Sequence, residues 1–105
     1  MKYPKEYLDE IKTRLKVSTV VSRTVNLKKR GKEFVGLSPF KTEKTPSFTV
    51  NDDKEFYHCF ATAEHGNIFD FVMKMQNFRF GEAVKFLASL AGMAPYRFSK
   101  VDEQR

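Results

Sequence analysis

The chain has 105 residues, enough for one domain with a small core, and 41% hydrophobic with 30% charged residues is ordinary globular composition. Net charge is +6 and lopsided: residues 1–54 carry thirteen Lys/Arg against seven Asp/Glu, and the remainder six against six. No apolar run approaches the roughly 20 residues of a membrane span, MKYPKEYLDE lacks the apolar stretch of a signal peptide, and the single cysteine, Cys59, excludes an intrachain disulfide and fits a reducing cytoplasm.

Residues 5–16, KEYLDEIKTRLK, place Tyr7, Leu8, Ile11 and Leu15 on one stripe and predict a helix opened by Pro4. VSTVVSRTV is rich in β-branched residues, yet Val17, Val20 and Val21 keep helical spacing and predict a second, short helix. From residue 24 the period drops to two. Val25 and Leu27 alternate with polar neighbours, Arg30-Gly31 signals a turn, and KEFVGL returns, so 24–37 reads as a β-hairpin. Pro39 and Pro46 bracket a connection that is unfit for a central strand. SFTVN and EFYHCF are two further strands, joined by the polar turn Asn51–Lys54.

After Gly66 the helical period resumes, with Asn67 as N-cap and Ile68, Phe71, Val72 and Met75 on the apolar face. A last helix is expected from about Phe80 to Ala91, with Phe80, Val84, Leu87 and Ala91 as its stripe and Gly92 just past its end. Its start is poorly capped, because Arg79 stands three residues before Glu82 where a capping box wants Ser or Thr, unless Asn77 shifts the start. Pro95 stops the helix, and the polar tail 96–105 reads as the beginning of a linker after a domain spanning 1–95. The fold class is α+β, an antiparallel sheet flanked by N- and C-terminal helices.

Motifs for enzymatic chemistry are missing. GKEF is no phosphate loop, no clustered metal-ligand motif of the HExxH kind occurs, and no pair of acids stands out. Cys59 follows His58 directly, but neighbours along a strand point to opposite faces, which argues against a nucleophile pair. A binding surface fits better. The basic excess is sharpest from Lys28 to Lys44, where Lys28, Lys29, Arg30, Lys32, Lys41 and Lys44 face only Glu33 and Glu43. Such a field favours a polyanion, nucleic acid first. Alternation puts Phe56, His58 and Phe60 on one face and Tyr57 and Cys59 on the other. One set must pack on the helices, and periodicity does not say which.

The run from Leu27 to Phe71, LKKRGKEFVGLSPFKTEKTPSFTVNDDKEFYHCFATAEHGNIFDF, resembles the N-terminal zinc-binding domain of bacterial DnaG-type DNA primases. EKTPSF, FYHCF and HGN carry the resemblance together, and with the flanking helices it covers about residues 3–95. It implies a zinc-ribbon-like fold and a module that binds single-stranded DNA template while a separate Mg²⁺-dependent catalytic domain makes the RNA primer. It also implies a cytoplasmic, nucleoid-associated setting and partners beyond this chain: the catalytic domain itself and, through other regions, the replicative helicase. The alternative is a protein-interaction module that docks on the catalytic domain with little DNA contact. Phosphate contacts are expected from Lys28, Lys29, Arg30, Lys32, Lys41 and Lys44, stacking from Phe56, Tyr57 and His58, and hydrogen bonds from Ser47 and Thr45.

The resemblance breaks at the metal. The positions of the family's zinc ligands fall on Ser38, Lys41, Cys59 and Thr62, three of which are not ordinary zinc donors. The expectation is a ribbon without metal, since His58 is aimed away from Cys59 and His65 lies six residues on. Structural zinc contributes about 10–16 kcal/mol in zinc-finger peptides, so replacements are needed. Expected ones are an ion pair from Lys41 to Glu64 or Glu43, hydrogen bonds from Ser38 and Thr62, and a core of Phe40, Phe48, Phe60, Phe69 and Phe71.

Overall fold

The computed structural model describes residues 2–42 and 44–98, so most of the linker expected at 96–105 lies outside the described residues. Two helices come first, α1 (Lys5–Arg14) and α2 (Val17–Val21). A five-stranded antiparallel meander follows: β1 (Lys28–Arg30), β2 (Glu33–Gly36), β3 (Phe48–Asn51), β4 (Phe56–Cys59) and β5 (His65–Gly66). Helices α3 (Ile68–Gln76) and α4 (Phe80–Leu90) complete the chain. This is the α+β ribbon with flanking helices that the sequence predicts. No helix among the described residues is long and apolar enough to cross a membrane.

Helix α1 stops two residues short of expectation because Leu15 turns extended, at φ −121° and ψ 114°, and sends its side chain into the core. Helix α2 forms despite its valines. The Asp52 carboxylate, from the β3–β4 turn, accepts the Ser18 backbone N–H at 2.8 Å and the Ser18 hydroxyl at 2.6 Å. A tertiary cap therefore supplies what propensity withholds. Val17, Val20 and Val21 all bury against the sheet side of the core. Residues 24–27, expected as strand, are not: Thr24 and Val25 donate to the Val21 carbonyl as the end of α2, and the hairpin begins at Lys28. Gly31 makes its turn at φ 65°, the left-handed region open to glycine.

The Asn67 carbonyl oxygen of the side chain accepts the N–H groups of Phe69 and Asp70, and Asp70 returns the bond to Asn67 N–H at 2.9 Å, a complete capping box for α3. Asn77 closes α3 in the left-handed conformation and does not start α4. Helix α4 begins after Arg79, with half a capping box: Glu82 accepts Arg79 N–H at 2.9 Å, but a guanidinium has no acceptor to return. Its far end is a full Schellman motif on Gly92, with Gly92 N–H to Ser89 O and Met93 N–H to Ala88 O.

Cross-strand register sorts the sheet into two faces. Phe34 pairs with Val50, Val50 with Tyr57, and Phe48 with Cys59. Phe48, Val50, Tyr57 and Cys59 are fully buried under α2 and α3 with Phe71, Ile68 and Leu87. The Phe48 and Tyr57 rings stack at 5.5 Å, and Phe71 meets Tyr57 edge-on at the same distance. The expected aromatic core holds for Phe48, Phe69 and Phe71, while Phe40 is half-buried against it. Phe60 is corrected: it is 68% exposed, because it follows the parity of Phe56 and His58 and not that of Tyr57 and Cys59.

Candidate nucleic-acid interface and the former metal site

The second face of the sheet has no helix over it among the described residues. Lys28 pairs with Val35, Val35 with Thr49, Thr49 with His58 and His58 with His65, so one row of side chains crosses all five strands on the open side. Arg30, Phe56 and Phe60 share that face by alternation, two residues away along their own strands. All are half-buried or exposed. His58, on β4, has the Phe60 ring edge-on at 4.2 Å and the His65 ring 6.2 Å away. The rings of Phe56, His58 and Phe60 lie along β4 and the cations Lys28 and Arg30 along β1, on one open face with β2 and β3 between them; stacking planes and cations on one surface are what unpaired bases and their phosphates use.

The structure divides the residues expected at such a site. It puts Lys28 and Arg30 on the same open face as Phe56 and His58, with β2 and β3 between them. Tyr57 is corrected: at 0% exposure its ring is core, and no base can reach it. Lys29 is exposed but lies in register with Phe34, on the opposite parity to Lys28. Lys32 stands in the β1–β2 turn, and Lys41, Lys44 and Thr45 are exposed on the β2–β3 connection. Lys44 reaches the open side, where it lines with Lys28, Val35, Leu37 and Pro46 a groove of ≈ 500 Å³. Ser47 is half-buried, and its carbonyl accepts the Phe60 N–H at 2.9 Å. Phe60 and His65 were not among the expected contacts. Parity alone marked Phe60, whereas His65 owes its place to β5, a two-residue strand without a period of its own.

Of the positions that the resemblance assigns to zinc ligands, Ser38, Cys59 and Thr62 meet at one end of the ribbon, and Lys41 is exposed on the connection nearby in sequence. The Cys59 thiol donates to the Ser38 hydroxyl oxygen at 3.1 Å, and that oxygen also accepts Phe40 N–H at 3.1 Å. Burial alone would raise the Cys59 thiol pKa. Once the proton leaves, the Ser38 and Thr62 hydroxyls and the Thr62 and Ala61 backbone N–H groups can donate to the thiolate, and this outweighs burial and lowers the pKa. The loop after β4 is stitched by its own backbone: Cys59 N–H donates to Glu64 O, and Ala63 N–H, from a residue at φ 65°, donates to Cys59 O, both at 2.7 Å. Thr62 Oγ1 accepts Glu64 N–H at 3.4 Å.

The donor set does not fit zinc. One thiol, two hydroxyls and an exposed ammonium replace four Cys/His donors. No group of three His, Cys, Asp or Glu among the described residues is placed to hold a metal ion. The expected Lys41–Glu64 pair is corrected as well, and its alternative partner Glu43 lies outside the described residues. Glu64 pairs instead with Lys74 of α3 at 3.3 Å, and the same ammonium lies 5.7 Å from the centre of the Phe40 ring. Lys74 thus ties the loop after β4, the loop before β3 and helix α3 together. Beneath it, the Tyr57 hydroxyl is buried without a hydrogen-bond partner among the described residues. Desolvation first, then the nearby Asp70, Glu64 and Cys59, push its pKa well above the usual phenol value.

Known proteins share this architecture. The chain is 48% identical over 90 residues to a DNA primase of Pseudomonas putida, covering 86% of this chain and 14% of that protein. It is 42% identical over 94 residues to a DNA primase of Haemophilus influenzae, covering 89% of this chain and 16% of the relative. It therefore spans about one-seventh of the length of such relatives. Among solved structures, the Aquifex aeolicus primase, comprising zinc-binding and RNA polymerase domains, superposes with a TM-score of 0.80 at 28% identity, over 92% of this chain and 25% of that one. The CHC2 zinc finger model matches residues 3–103, so the chain belongs to the CHC2 zinc finger family, with the fold of the primase zinc-binding domain and without that family's usual set of metal donors.

Proposed function

We propose that this domain is the template-binding module of a bacterial DNA primase and that it holds single-stranded DNA across the open face of its sheet. The observation that carries the reading is the row from Lys28 through Val35 and Thr49 to His58 and His65, flanked by Arg30, Phe56 and Phe60. Bases stack on Phe56, His58 and Phe60, and phosphates run along Lys28 and Arg30 toward Lys44. Phosphate contacts set position and salt dependence, while the rings accept any base. A β1 lysine also keeps that edge strand from pairing with another sheet, so the two roles share one residue.

The chemistry of primer synthesis belongs to a catalytic domain outside this chain, working with Mg²⁺. The role of this module there is to present the template strand. It works in the cytoplasm as part of DNA replication, alongside the replicative helicase. The module itself needs no zinc. Phe60 at 68% and Leu37 at 48% exposure favour a second reading, in which the same face docks on the catalytic domain. A backbone and aromatic NMR titration with a short single-stranded oligodeoxynucleotide separates the two. Saturable shifts at Lys28, Arg30, Phe56, His58 and Phe60 support template binding. A silent open face overturns it and leaves docking.

A further inference from the structure

Residues 3–7 and 94–98, near the two ends of the described chain, meet beside α4, far from the zinc-ligand positions in sequence, and build a second aromatic surface. Tyr3 stacks on Tyr7 at 5.9 Å with 17° between the rings. Phe98 meets Tyr3 at 5.1 Å and Tyr96 at 4.8 Å, both near edge-on. The tail is fastened in place: the Tyr7 hydroxyl donates to Ala94 O at 2.8 Å, and Tyr96 packs on Tyr7 at 5.2 Å. Between these rings and the first turns of α4 lies an open cleft of ≈ 670 Å³.

Three cations, Arg79, Lys85 and Arg97, line this cleft and are exposed. None of them forms an ion pair among the described residues. The one acid in the lining, Glu82, is engaged with the Arg79 backbone N–H. Half-buried rings that line an open cleft, beside exposed cations with no ion pair among the described residues, suit a ligand that is flat at one end and anionic at the other. Aromatic residues that served only as core would be sealed, and surface cations that served only for solubility would not surround a ring-lined hollow of this size.

We propose that this cleft binds one nucleotide unit, its base against Tyr3, Tyr96 and Phe98 and its phosphates on Arg79, Lys85 and Arg97. The site is separate from the open sheet face and stands whether or not that face binds a template. Its ligand is either a free nucleoside triphosphate or a nucleotide within a strand, which present the same base-plus-phosphate chemistry.

The test is an aromatic and backbone NMR titration of the 105-residue chain with three probes: ATP, inorganic triphosphate and a short oligothymidylate. ATP is expected to give saturable ring-current shifts at Tyr3, Tyr96 and Phe98. Inorganic triphosphate is expected to move only the signals of the three cations. Ring shifts with oligothymidylate and none with ATP assign the site to a strand and support the proposal. Unmoved ring signals with both nucleotide probes overturn it, as does inorganic triphosphate reproducing the whole ATP response. Arg97→Gln removes one phosphate contact at an exposed position and is expected to weaken ATP about tenfold, the effect of losing one charge-assisted contact. Tyr96→Leu keeps an apolar anchor on Tyr7 but removes the stacking plane, with a loss of about tenfold. Circular dichroism confirms that each variant remains folded, and unweakened ATP binding by both folded variants also overturns the assignment.

Discussion

Cys59 Sγ donates to Ser38 Oγ at 3.1 Å, where the fold family places two of its zinc ligands. The thiol is buried, and its neighbours offer hydroxyls in place of donors that zinc binds well. Purified chain is therefore expected to carry far less than one zinc per molecule by elemental analysis, with the same circular dichroism and thermal midpoint before and after chelator. The triple variant Ser38→Cys, Lys41→His, Thr62→Cys supplies the missing donors around Cys59 and is expected to take up zinc one to one. Stoichiometric, fold-critical zinc in the natural chain would sink this reading.

Lys74 does part of the work that a metal would do, through Glu64 at 3.3 Å and the Phe40 ring at 5.7 Å. The pair is partly exposed, so solvent screening limits its worth to about 1 kcal/mol or less, and the ring contact adds about 0.5–1 kcal/mol. Lys74→Ala is expected to lower stability by about 1–2 kcal/mol in urea titration. Glu64→Gln should lose less, because Lys74 keeps its ring. Equal losses in the two variants would show that the ring contact contributes nothing.

The Tyr57 hydroxyl is buried without a hydrogen-bond partner among the described residues, and Tyr57→Phe removes it at almost no change in shape. Leaving a polar group unsatisfied in a core costs about 1–3 kcal/mol, so the variant is expected to be more stable by about that amount. The phenol also carries a pH signature. Its pKa is raised in the folded state above the ordinary 10.0, by desolvation first and then by Asp70, Glu64 and Cys59. A raised folded pKa favours the protonated phenol, so its contribution is complete below the unfolded value. It is lost as pH rises past about 10 toward the folded pKa. The natural chain should lose stability on that alkaline limb faster than Tyr57→Phe does. Parallel alkaline limbs would contradict the burial argument.

Asp52 caps α2 from 34 residues away, through both Ser18 N–H and Ser18 Oγ. Asp52→Ala is expected to cost about 1–2 kcal/mol, the usual worth of an N-terminal cap, while Asp52→Asn should retain much of it. An Asp52→Ala variant as stable as the natural chain would show that the valines of α2 hold the helix by packing alone.

That cap also marks the limit of what residue order reveals. The valine spacing in VSTVV pointed to a helix, but the group that makes it stable lies in a turn between two strands. The same boundary runs through EFYHCF. Alternation separated Phe56, His58 and Phe60 from Tyr57 and Cys59, yet which set is covered depends on where α2 and α3 land. Phe60 looked like core by type and is outside by parity. The two residues of β5 have no period to read and become a strand only because β4 offers an edge. Asn67 and Gly92, by contrast, act through their immediate neighbours, and their caps were legible in full. The aromatic cleft joins Tyr3 to Tyr96 and Phe98, a closure that no local pattern announces.

The open face makes a prediction that separates charge from stacking. Each phosphate contact with a single strand contributes about −0.7 to the slope of log affinity against log salt. Replacing Lys28 and Arg30 together by Gln should flatten that slope by about 1.4 if each holds one phosphate. Phe60→Ala should leave the slope unchanged and weaken a short oligodeoxynucleotide by about 1–3 kcal/mol, the worth of one stacked base. The variant should also be as stable as the natural chain, because the ring is 68% exposed and supports little of the core. His58→Ala tests the β4 position of the row, where the Phe60 ring leans edge-on at 4.2 Å and Thr49 Oγ1 donates to the His58 carbonyl. It removes one stacking surface and the support of another, so its loss should exceed that of Phe60→Ala. The double variant should lose less than the two single losses added, since neighbours in contact are not independent. Additive losses would mean that the two rings serve different bases, and a slope altered by Phe60→Ala would mean that the strand runs elsewhere.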